Sequence, residues 1–89
     1  MPDNQGNLWR ITVTRLIRVE MTKRGIGYTD LSLALKSLGV DQSEANLRNK
    51  VNRGILGADL FLQIFQAMKV SELAMAEVRK IYENTANAS

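Results

Sequence analysis

The chain has no cysteine and no histidine among its 89 residues. Without cysteine, neither a disulfide framework nor a thiolate metal site can form. Without histidine, the commonest general base, the Ser–His and Cys–His nucleophile pairs and most zinc or iron ligand sets are gone. The single proline is Pro2, so no predicted helix is broken from within. No apolar run approaches the roughly 18 residues of a membrane span, and the polar, Gly-containing start is unlike a secretory leader. A Gly-rich phosphate loop is missing too, and the carboxylates are scattered over predicted outer faces. These absences predict a non-enzymatic protein of the cytoplasm, with no catalytic residues, no cofactor and no metal.

What is present suits one small helical domain. Hydrophobic residues make up 45% of the chain, enough for a thin core without covalent staples. Twelve basic against nine acidic residues give a formal charge of +3, a modest excess whose placement matters more than its size.

Periodicity divides the chain into five helices. Residues 1–7 are polar, carry Pro2 and Gly6, and read as a disordered lead-in. From Leu8, the residues Trp9, Val13, Leu16, Ile17 and Met21 recur at spacings of three and four, which is one face of a helix. Arg10, Arg15, Arg18, Lys23 and Arg24 surround that stripe and read as a solvated face, with Gly25 as the stop. Helix 2 carries Tyr28, Leu31, Leu35 and Leu38 on one face and ends at Gly39, with Gly27 or Thr29 as its N-cap. Helix 3 covers 44–53, opened by an Asp41–Glu44 capping box or by Ser43, and stops at Gly54. Ile55 and Leu56 read as a buried connector. Helix 4 starts near Ala58 and puts Leu60, Phe61, Ile64, Phe65 and Met68 on one broad apolar face, the strongest core signal in the chain. Ser71 is the expected N-cap of helix 5, with Leu73, Ala76, Val78, Ile81 and Tyr82. The domain is expected over 8–84, with 85–89 as a frayed tail.

Helix 3 differs from its neighbours. Only Leu47 and Val51 are large and apolar, and their spacing of four anchors one face to the core. The opposite face centres on Asn49 and carries Arg53, Ala45, Asn52 and Asn46, with Arg48 and Lys50 on the flanks. Arginine pairs with guanine and asparagine with adenine through two hydrogen bonds each, and small Ala45 permits close approach. Any short surface helix can show a polar face, but three asparagines are a poor choice for one that is merely solvated. Asn46, Asn49 and Arg53 are therefore the candidate DNA-base contacts. Arg48 and Lys50 are the candidate phosphate contacts, joined by the backbone N–H groups of Gly57 and Ala58 at the start of helix 4.

The run over 27–40, an amphipathic helix ending in Leu38-Gly39-Val40, resembles helix 2 of lambda-repressor-like domains. Asn52-Arg53-Gly54 is similar to the acidic-Arg-Gly of that superfamily, and helix 4 into Lys69-Val70 to its next core helix and turn. More narrowly, Glu44, Lys50, Arg53 and Gly54 resemble a small bacterial family of uncharacterised domains of that fold, with Leu56 where its members carry an aromatic. The chain departs from the superfamily in a longer turn before helix 3 and in Asn52, which replaces an acid. The resemblance implies an all-α, compact five-helix lambda-repressor-like helix-turn-helix bundle. Its implied function is double-stranded DNA binding in transcription regulation, with helix 3 in the major groove. Leu73, Met75, Val78, Ile81 and Tyr82 put apolar residues on more than one face of helix 5, which predicts a homodimer with helix 5, alone or with helix 1, at the interface. The alternative is a protein-interaction or oligomerisation module on the same fold, contacting partners through helix 1 or helix 5.

Overall fold

A computed structural model describes residues 4–88, with side chains from residue 6 onward. Its elements are α1 (Asn4–Arg24), α2 (Tyr28–Ser37), α3 (Glu44–Arg53), α4 (Ala58–Ala67) and α5 (Met75–Ala88), with no strand among the described residues. The expected all-α architecture of five helices is therefore present. None of these helices is long and apolar enough to cross a membrane.

The longest helix, α1, is the spine. Leu16, Ile17 and Met21 are buried from its predicted stripe, and Val13 packs against the same core. One side of α1 meets α5 and another meets α3, while α2 bridges α3 to α4. Two threonines of α1 are buried. Thr12 donates within the helix to the Leu8 carbonyl at 2.8 Å, and Thr14 donates across to the carbonyl of Val51, joining α1 to α3. Hydrogen-bonded threonines can be buried without an unsatisfied hydroxyl. At the far end, Arg24 donates from Nε to the Met68 carbonyl at 2.7 Å, joining α1 to the last turn of α4.

Residues 4–7 and 85–88 are helical where their composition predicts none. Residues 4–7 belong to α1, and only 1–3 of the expected lead-in lie outside the described residues. At the other end, α5 continues through Ala88, so the expected frayed tail is helical as far as it is described. Contacts between the two helices explain this. Trp9 stacks on Tyr82 with ring centroids 4.0 Å apart, and Arg15 donates to the hydroxyl of buried Thr85 at 3.0 Å. Lys23 meets Glu77 at 3.7 Å, so α5 runs antiparallel to α1. The cations of α1 are thus partly committed to packing, not simply solvated.

Four local expectations need correction. Helix 5 starts at Met75, not just after Ser71. Lys69 adopts φ 58°, Val70 tucks against the core, and the chain stays non-helical until the Ala74 carbonyl receives the N–H groups of Glu77 and Val78. Ile55 is 48% exposed, so only Leu56 of the connector packs on the core. Leu38 is also exposed, as the C-cap residue just past the end of α2. In α4, Leu60, Ile64 and Phe65 are buried, but Phe61 is only half-buried and tilts against Phe65 at 4.8 Å.

Candidate nucleic-acid interface

Helix α3 begins and ends where the sequence places it. Ser43 is the N-cap, its hydroxyl accepting the Asn46 N–H at 3.1 Å. Gly54 closes the helix in the left-handed region at φ 63°. A side chain there would be strained, and a Cβ would also lie 2.1 Å from the carbonyl oxygen of Arg10. Gly54 is thus where α3 ends against the backbone of α1. Leu47 and Val51 have no exposed surface, each contributing roughly 1.5–3 kcal/mol by burial. Two buried side chains, one threonine hydrogen bond and one glycine contact form the inner anchor of this helix.

The remaining side chains are left for other uses. Asn46, Asn49 and Arg53 are all exposed, and their spacing puts them together on the side away from Leu47 and Val51. Arg53 forms no ion pair among the described residues. Arg48 and Lys50 stand on opposite flanks. Arg48 pairs with Glu44 at 2.8 Å and lies over the Tyr28 ring, 5.2 Å from its centroid. Lys50 is half-buried and donates to Gln42 Oε1 at 3.3 Å. Glu44 also accepts a hydrogen bond from Thr29 of α2. That bond, with Arg48 second, holds its carboxyl below the ordinary glutamate range.

Asn52 does not belong to the open face. Its Oδ1 accepts from Arg18 of α1 and from the Tyr28 hydroxyl, the latter at 3.3 Å, which turns it toward the junction of α1, α2 and α3. The helix 3 pattern puts Asn52 on the same outer side as Asn49 but does not show its partners, and Arg18 reads in sequence as one cation among five. Gly57 and Ala58 are exposed at the start of α4. There the Asp59 carboxylate accepts the Leu60 N–H at 2.9 Å, and it lies 2.6 Å from where a Gly57 Cβ would stand. A carboxylate over this helix end competes with an incoming phosphate.

Arg48, Lys50 and Arg53 lie on α3, and Arg18 reaches its C-terminal half from α1 through Asn52. Among the described residues, Glu44 is the sole acid ion-paired with any of these four cations.

The arrangement defines a class of protein: a five-helix domain that holds a short polar helix on its surface by minimal contacts. The chain belongs to the family described as a domain of unknown function, DUF6471, whose model matches residues 9–73. That span contains the whole of α2, α3 and α4 and most of α1, and it ends before α5. No curated protein and no solved structure matches the chain.

Proposed function

We propose that this domain binds double-stranded DNA. Helices α2 and α3 act as the helix-turn-helix unit of a lambda-repressor-like fold, and α3 enters the major groove. The observation that carries the reading is the pairing of an exposed Asn46–Asn49–Arg53 side with cations on both flanks, on a helix that gives only Leu47 and Val51 to the core. Asn46, Asn49 and Arg53 read base edges. Arg48 and Lys50 meet phosphates, each releasing a neutral or acidic partner to do so. Gly57 and Ala58 contribute less, because Asp59 already occupies that helix end. The role is transcription regulation. One short helix reads too few bases for useful selectivity, so two copies act on one site. They are joined by less of α5 than its apolar pattern predicts, because Val78, Ile81 and Tyr82 pack within their own chain.

The rival reading, a protein-interaction module working through α1 or α5, has little apolar surface available on those helices. Val78 is buried and Ile81 and Tyr82 are half-buried, while Met75 of α5 and Trp9 of α1 stay open. A gel-shift series with the intact chain against random duplex DNA at about 50 mM salt separates the two. Retarded complexes that dissolve as salt rises are expected. No binding at that salt would defeat the DNA reading and leave the interaction module.

A further inference from the structure

Arg18 is an exposed guanidinium in an unusual situation. Its hydrogen-bond partner is the neutral amide oxygen of Asn52, and it forms no ion pair among the described residues. An amide oxygen can orient a guanidinium but cannot neutralise it. The full positive charge therefore stays available at the surface.

Asn52 is oriented in turn. Because Oδ1 accepts from both Arg18 and the Tyr28 hydroxyl, the Nδ2 group, which carries two N–H donors, must face the other way. Arg48 lies one helical turn before Asn52, on the same edge of α3, and rests on the Tyr28 ring. Tyr28 is thus a half-buried wall that supports both. Two guanidinium groups and one amide, from α1 and α3, converge on this edge with an excess of donors over acceptors.

We infer that Arg18, Asn52 and Arg48 form a phosphate-binding clamp at the junction of α1 and α3. It receives a backbone phosphate of the duplex whose bases α3 reads, and in that respect rests on the DNA reading. The clamp brings α1 into the interface and gives Asn52 a reason to be neutral. An aspartate at this position would pair with Arg18, cancel its charge and repel the anion. The same exchange would strengthen the contact between the two helices. Its stabilising and ligand-binding effects therefore have opposite signs, and this separates a clamp from a merely structural hydrogen bond.

The test uses the intact chain and the variants Arg18→Gln, Asn52→Asp and, as a charge control on α5, Lys80→Gln. Inorganic phosphate is titrated while the side-chain N–H signals of Arg18, Arg48 and Asn52 are followed by NMR. Duplex binding is then measured against salt. In the wild type, phosphate shifts all three signals, and Asn52→Asp abolishes the response without lowering the melting temperature. Arg18→Gln and Asn52→Asp each reduce the salt slope by about 1, whereas Lys80→Gln does not. Duplex binding whose slope is the same in all three variants would overturn the clamp and leave the DNA reading intact. A phosphate response in a wild type that binds no duplex would do the reverse, keeping the clamp as an anion site and removing the DNA reading.

Discussion

Helices α3 and α4 are both ten residues long, follow one another in the chain and serve opposite purposes. Helix α4 buries Leu60, Ile64 and Phe65, has Phe61 half-buried beside them, and caps its end with buried Met68. Helix α3 buries two residues and leaves its asparagines and arginines exposed. The difference shows that a helix need not be apolar to be fixed. Helix α3 is located by where it ends, through the Gly54 contact with Arg10, and by the Thr14 hydrogen bond, as well as by Leu47 and Val51. Economy of anchoring frees its outer side for a ligand, and it makes each anchor hard to replace.

The sharpest way to break that comparison is Gly54→Ala. The new Cβ would meet the Arg10 carbonyl at 2.1 Å while the backbone holds φ 63°. Neither problem relaxes without moving α3 away from α1. Left-handed strain and overpacking together give about 2–6 kcal/mol, a large part of the stability of so small a domain. Chemical denaturation should find the variant largely unfolded at 37 °C, and wild-type stability would show that the corner is not a close crossing.

The counterpart in α4 is next in size. Phe65→Ala should destabilise by about 3–5 kcal/mol, because Phe65 is 6% exposed and central to the core. Phe61→Ala should be milder, about 1–2 kcal/mol, since half-burial means less apolar surface is lost. Equal losses at the two positions would contradict an α4 turned with Phe65 inward and Phe61 at the rim. The sequence pattern alone places both aromatics on the broad apolar face. Their difference is a matter of tertiary covering, which no periodicity reveals.

What was legible in the chain and what was not divide along the same line. The bounds of α3 and its Leu47–Val51 anchor follow from spacing and from Ser43 and Gly54, all local signals. The direction of Asn52, the commitment of Lys50 to Gln42 and the contact of Gly54 with Arg10 are tertiary facts. They depend on which partner a distant helix brings, and residue type does not show this. The helical residues 4–7 and 85–88 belong to the same category. Thr85 reads as part of a polar tail until Arg15 is placed beside it.

A third measurement concerns the outer side of α3 and disturbs function without disturbing the fold. Arg48→Ala and Lys50→Ala should weaken binding to all duplexes alike and lower the salt slope by about 1 each. Asn49→Ala and Arg53→Ala should relax sequence preference by about 1–3 kcal/mol for each lost base contact. Asn49→Ala and Arg53→Ala should retain the wild-type denaturation midpoint within error, because neither belongs to the anchor. Arg48→Ala and Lys50→Ala lose the contacts with Glu44 and Gln42 and should lower it slightly. Loss of preference in the first pair and of salt dependence in the second would reverse the assignment of roles.

The smallest effect tests whether α3 restrains its own phosphate contact. Glu44 holds Arg48 at 2.8 Å, and its carboxyl titrates below the ordinary glutamate range because Thr29 and then Arg48 hydrogen-bond its charged form. A carboxyl whose value is lowered in the folded state adds stability that is present above its unfolded value and disappears as pH falls through the folded one. The stability difference between wild type and Glu44→Gln should therefore be constant at neutral pH and shrink on acidification through and below the ordinary glutamate range. For binding the sign is opposite. Removing this carboxylate takes a negative charge from the interface and frees Arg48 for phosphate, so Glu44→Gln should bind duplex about two- to five-fold more tightly at neutral pH. Affinity titrations at one salt concentration, beside urea midpoints over a pH series, measure both quantities. Weaker binding by Glu44→Gln would mean that Arg48 must be held by Glu44 to meet its phosphate, so that the ion pair positions the cation instead of competing for it.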